Sequence, residues 1–262
     1  MKYYLMVFLF MLVSQLSQAA IVDRDVDYTS GATLMKGYIA YDDQFKGQRP
    51  AVLIVHEWWG HNDYARDRAR QLAQLGYVAM AVDMYGDGKQ ATHPDDAKKF
   101  SSEISNDIEL AKQRFIAAMA ILQQQELVEK NRIAAIGYCF GGAVVLNMAR
   151  EGVDLRGVVS FHGSLATNRF ATPGSVKARI LVAHGAEDPF VPALHITNFL
   201  NEMNKTQVDY KFIVYSGAKH AFTNPEATAY GTRFNLPLAY NHKADADSWN
   251  DMQIFLKDIF SQ

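Results

Sequence analysis

The only cysteine of the chain, Cys139, stands in GYCFGGAVV (137–145). Its glycine flanks have the spacing of the G-x-S-x-G turn on which a nucleophilic serine is mounted. RIAAIGYC (132–139) reads as a strand, and the compact apolar run from Gly141 to Ala149 reads as a helix. Gly137 and Gly141 carry no Cβ, so a sharp strand-to-helix bend can form and lift the thiol above a sheet. Gly142 lets the new helix pack closely on its neighbours. The backbone N–H of Phe140 would then sit at the positive end of that helix, where an anion is favoured. The competing reading is a buried cysteine acting as a small hydrophobe.

A nucleophile of this kind needs a base, and the base needs an orienting acid. His220, in SGAKHAF, and Asp188, in HGAEDPFVP, each lie just beyond a strand-like run. Glu187 and Asp83 compete with Asp188 for the acid role. HEWWG adds Glu57, a carboxylate among apolar neighbours where a charge without a partner is costly. The Trp58 N–H, in the loop after that strand, is placed to serve as a second oxyanion donor beside Phe140. Trp58, Trp59 and Tyr85 are expected to shape an aromatic pocket. His56, His162 and His184 fall at strand ends, but no H-x-H or H-E-x-x-H spacing supports a metal, and no cofactor is implied.

These residues need a scaffold. Strand-length apolar runs recur at 51–60, 77–86, 132–139, 156–163, 178–188 and 208–217, each ending in glycine or acidic residues. Near-continuous hydrophobicity suits strands covered on both faces, as in a parallel sheet. Helical patterns lie between them: Ala65, Ala69 and Leu72 on one face ending near Gly76, and a longer helix starting near Asn106 with Glu109 in a capping-box-like position. Leu194–Met203 is a further helix candidate, and Trp249, Met252, Leu256 and Ile259 mark a final packing helix. Shorter strands near Ile21–Tyr28 and Thr33–Ala40 are expected as an antiparallel edge. Strand–helix alternation with right-handed crossovers predicts a three-layer α/β sandwich with a mostly parallel central sheet. In such sheets function gathers at the carboxyl ends of the strands, where the residues above fall.

The first residues, MKYYLMVFLFMLVSQLSQAA, carry one lysine, an apolar run and then small polar residues. That run, from Tyr3 to Val13, is about 11 residues, against roughly 20 for a spanning helix. The expectation is a signal peptide over residues 1–19, cleaved after Ala19, and a single domain over 20–262, exported to the periplasm rather than the medium. No stable membrane span is expected in the mature protein. A net charge of −2 without a basic patch argues against nucleic acid as a partner. A single cysteine excludes intramolecular disulfides and cysteine-rich metal sites. It also disfavours a redox thiol protein, since no second thiol can resolve an oxidised one.

Taken together, HEWWG, VDMYG, GYCFGG, HGAEDPFVP and GAKHAF resemble the dienelactone hydrolase family, in the family's order and over nearly all the mature chain. The resemblance implies an α/β-hydrolase fold and a triad of Cys139, Asp188 and His220, in the order nucleophile, acid, histidine. It also implies that Glu57 contacts the resting thiol until substrate binding shifts the contacts. The activity implied is hydrolysis of a small-molecule ester or lactone through an acyl-enzyme, with a non-catalytic ligand-binding relative as the alternative. The family's founding substrate is an anionic lactone held by arginines. At those positions this chain has Asp87 and Asn224, so a neutral ester or lactone is expected, unless Lys89 or Arg169 supplies the cation. The sequence leaves the oligomeric state open.

Overall fold

Apolar runs that alternate between two buried faces pair here into one eight-stranded sheet. The computed structural model describes residues 21–261. The leader expected over 1–19 lies outside them. The elements are β1 (Ile21–Ser30), β2 (Thr33–Asp42), β3 (Arg49–Val55), α1 (Asp63–Gln74), β4 (Val78–Val82), α2 (Pro94–Asn106), α3 (Ile108–Gln123), β5 (Val128–Tyr138), α4 (Phe140–Arg150), β6 (Gly157–Phe161), β7 (Arg179–Gly185), α5 (Ala193–Thr206), β8 (Tyr210–Tyr215), α6 (Ala227–Phe234) and α7 (His242–Phe260). The strand order is β1-β2-β4-β3-β5-β6-β7-β8. The segment from β4 to β8 is parallel throughout, and β1 and β2 add an antiparallel edge.

The continuous hydrophobicity has a simple cause in β3. Leu53 and Val55 face Phe115, Val145 and Met148 on one side of the sheet. Val52 and Ile54 face Ala69, Leu72, Met252 and Leu256 on the other. Successive side chains point to opposite faces, and both faces are covered. Truncating Leu53 or Ile54 to alanine would cost about 2–5 kcal/mol through lost burial and the cavity left behind.

The helix expected to begin near Asn106 is α3, and a separate helix, α2, precedes it. Asn106 ends α2, and α3 starts after Asp107, whose carboxylate accepts the Leu110 N–H at 3.0 Å. Asp107, not the pair Asn106 and Glu109, is therefore the cap. Neither α2 nor α6 was marked by a clear apolar stripe in the sequence. Helix α2 borders the site through Ser101 and Ser105, whereas α6 packs on Trp59 through Tyr230 and Phe234. No helix among the described residues is long and apolar enough to cross a membrane.

Candidate active site

Cys139 joins β5 to α4 with φ 54° and ψ −114°, a conformation that side-chain-bearing residues seldom adopt. The bend is tight enough to require its glycines. A Cβ on Gly137 would lie 2.1 Å from the Gly141 carbonyl oxygen, and one on Gly141 would lie 2.2 Å from that of Val55. The strained residue is tied down by its own N–H, which is shared between the Phe161 carbonyl at 3.0 Å and His162 Nδ1 at 3.1 Å.

Its sulfur lies 3.0 Å from His220 Nε2, and His220 Nδ1 lies 2.8 Å from Asp188 Oδ2. Asp188 follows β7 and has a fully buried side chain, with Oδ1 accepting the Phe190 N–H at 2.9 Å. His220 follows β8, and its carbonyl accepts the Ala239 N–H at 3.3 Å. Burial opposes a charged ring here, but the Cys139 sulfur and the Asp188 carboxylate outweigh it and hold the imidazole well above its usual range. The other candidate acids are elsewhere. Glu187 is exposed, and Asp83 spends both oxygens on the N–H groups of Lys36, Tyr85, Gly86 and Gly88, which makes it the anchor of the loop after β4.

Glu57 is buried, but the thiol contact expected of it is not the arrangement seen. The sulfur partners the imidazole, while Glu57 Oε2 accepts an N–H from Asn224 Nδ2 at 2.6 Å and Oε1 has no hydrogen-bond partner among the described residues. Burial pushes the Glu57 carboxyl up to about 7, against the lowering effects of Asn224, His220 and Arg68. Asn224 is thus the carboxyl's holder and not a wall of the pocket.

A cavity of about 250 Å³ opens at the sulfur, lined by Trp58, Phe140, Phe190 and Leu238 on its apolar parts and by Ser101, Ser105 and Ser164. Three residues expected in it sit elsewhere. Trp59 packs behind Trp58 on Tyr230 and Phe234, with ring centroids 4.6 and 5.9 Å away. Tyr85 is buried and donates its hydroxyl to the Trp58 carbonyl at 3.0 Å. Asp87 is exposed and paired with Lys89 at 3.6 Å, because its loop turns outward at a left-handed φ of 57°. Arg169 is also spent on the surface, 3.4 Å from Glu109. Phe190 could have been found from its place in the EDPF segment. Leu238 and the serines of α2 belong to no motif.

Behind the triad runs a buried polar chain that the sequence did not indicate. His162 Nε2 lies 2.7 Å from Thr223 Oγ1, which lies 2.7 Å from the Tyr64 hydroxyl. Arg68 donates to the Thr223 carbonyl at 2.8 Å and to Asp245 at 2.6 Å. Because His162 Nδ1 accepts an N–H, the neutral ring carries its proton on Nε2 and donates to Thr223. Burial, with the charges of His220 and Arg68, holds His162 well below the usual histidine range. Among the described residues no cluster of three or more histidine, cysteine or acidic side chains is placed to hold a metal.

Residues 35–260 match the sequence profile described as the dienelactone hydrolase family. The chain belongs to that family. Its fold is the α/β-hydrolase fold, and it is a hydrolase of ester or lactone bonds. Among curated relatives, Protein usf of Aquifex pyrophilus is 28% identical over 90% of this chain and 98% of its own. A Saccharolobus solfataricus protein provisionally named carboxymethylenebutenolidase is 24% identical over 91% and 99%. Among solved structures, a dienelactone hydrolase-like promiscuous phosphotriesterase from metagenomic libraries superposes with a TM-score of 0.84 at 36% identity, covering 92% of this chain and 99% of that one.

Proposed function

We propose that the protein cleaves neutral carboxylic esters or lactones through an acyl-enzyme on Cys139. The observation that carries this reading is the line Cys139–His220–Asp188, at 3.0 and 2.8 Å, opening on a cavity with no lysine or arginine among the described residues of its wall. His220 receives the thiol proton, and Asp188 orients the ring and steadies its charge. The sulfur attacks the carbonyl carbon, a C–S bond forms, and the carbonyl electrons move to oxygen, held by the Trp58 and Phe140 N–H groups. Collapse expels the alkoxide, which takes the proton from His220. Water, deprotonated by His220, then attacks the thioester, releases the acid and restores the thiol. A thiolate is a strong nucleophile and a good leaving group, which suits lactones and reactive esters better than amides.

Beyond the His220 ring, whose charge is already matched by Cys139 and Asp188, the described wall gives a substrate carboxylate no counter-ion, so desolvating one there is unrewarded. The hydroxyls of Ser101, Ser105 and Ser164 serve neutral polar groups instead. The test is a panel of short aryl esters, a neutral lactone, dienelactone and a neutral aryl phosphotriester, the last because of the solved phosphotriesterase relative. Neutral esters or lactones are expected to lead in kcat/KM, and a preference for dienelactone refutes the neutral-substrate reading. Cys139→Ser is expected to lose about 10²-fold on esters, and equal activity refutes the thiol mechanism. The leader sequence supports export. Fractionation of cells making the full chain should find a processed protein outside the cytoplasm, and an unprocessed cytoplasmic product refutes it.

A further inference from the structure

His56, the first residue after β3, is fully buried, and its ring hydrogen bonds go to the Glu57 and Met84 backbone, not to Cys139, Asp188 or His220. Its Nε2 accepts the Met84 N–H at 3.2 Å. The proton of the neutral ring therefore resides on Nδ1, which donates to the Glu57 carbonyl oxygen at 2.6 Å. Burial lowers the histidine's affinity for a second proton, which keeps the ring in this form. The Gly60 N–H donates to the same oxygen at 3.1 Å. The ring is wedged between Phe140, stacked at 5.7 Å, and Tyr85, edge-on at 4.7 Å.

The Glu57 carbonyl and the Trp58 N–H are the two ends of one peptide plane, and in a trans peptide they point in opposite directions. Fixing the oxygen fixes the direction of the N–H. The next carbonyl, that of Trp58, is held by the Tyr85 hydroxyl at 3.0 Å, so the segment is gripped on both sides. Among the described residues the Trp58 N–H donates to no backbone acceptor. We infer that His56 is a positioning residue for the oxyanion site: its bond to the Glu57 carbonyl aims the Trp58 N–H and polarises that peptide into a stronger donor. Hydrogen bonds in such chains strengthen one another. The inference rests on acyl transfer at Cys139, because only a tetrahedral oxygen makes use of the donor.

The experiment compares His56→Leu, His56→Asn and His56→Gln in two assays. One is steady-state hydrolysis of a short aryl ester, and the other is alkylation of Cys139 by iodoacetamide, a displacement that builds no oxyanion. Asparagine keeps a donor near the Nδ1 position, whereas glutamine keeps polar atoms near Nε2. His56→Leu is expected to lower kcat about 10- to 100-fold, less than outright loss of an oxyanion donor, with KM within about twofold and alkylation within about twofold. His56→Asn is expected to recover most of kcat, and His56→Gln much less. Unchanged hydrolysis in His56→Leu overturns the inference, as does alkylation falling in step with hydrolysis. If the leucine variant does not fold, the amide pair decides alone, and glutamine equal to or better than asparagine overturns it. Wild-type protein that fails to hydrolyse esters through Cys139 would sink the acyl-transfer reading itself, a result separable from these.

Discussion

Replacing Glu57 by glutamine should change how stability depends on pH more than it changes the structure. Glu57 is 2% exposed, and burial raises its carboxyl from 4.5 to about 7. An acid whose affinity for protons is higher in the folded than in the unfolded state favours folding at low pH. Between those two values the unfolded chain has released the proton and the folded one still holds it, so stability falls as pH rises and levels off above about 7. A gap of this size corresponds to about 3 kcal/mol in all, of which about 2–3 kcal/mol is lost between pH 5 and 8. Glutamine cannot ionise, so the variant should lack that decline. Any cost of its extra buried N–H groups is the same at every pH and cancels from the comparison. Urea unfolding of both proteins at pH 5, 6, 7 and 8 supplies the measurement. Parallel stability curves would show that the carboxyl ionises alike in folded and unfolded chains, and a wild-type curve that rises relative to the variant would mean a buried cation pairs with it. Asn224→Ala provides a second check. The Asn224 bond lowers the carboxyl's value, so its removal should shift the wild-type decline to higher pH.

Two further outcomes follow from the geometry. Asp188→Asn keeps the shape but removes the charge that steers His220, and should lower kcat by about 10²- to 10⁴-fold with little change in KM; a loss under threefold would refute the steering role. Thr223→Val keeps the volume but strands the His162 Nε2–H without an acceptor, and should cost about 1–3 kcal/mol in urea unfolding, whereas unchanged stability would show that the bond to Thr223 contributes nothing.

The scaffold was legible because its strands are buried on both faces. The runs around Val52–Val55 and Ile133–Ile136 had to be apolar at every position, and glycine marked the elbow where backbones approach too closely for a side chain. Cys139, Asp188 and His220 could be read because each lies at or just beyond the end of a strand, so chain order fixes the end of the sheet at which it emerges. The pocket wall was less legible. Ser101 and Ser105 come from a helix whose apolar face is narrow, and Leu238 arrives through a loop bridged to His220, a pairing set by tertiary contacts and not by any local pattern. Trp59 and Tyr85 were read as pocket residues because aromatics beside a reactive loop look alike in sequence. Their neighbours decide otherwise, Trp59 bracing α6 and Tyr85 bracing the Trp58 carbonyl. Asn224 stood where a substrate-binding cation was sought, and its partner proved to be Glu57.

The half-buried sulfur at the elbow is also the only thiol in the sequence. A fluorescent maleimide therefore has a single place to react on each chain, and dye per molecule gives the fraction of a preparation with that position intact. Storage damage, metal poisoning or adduct formation would show as a shortfall in colour before any substrate is added.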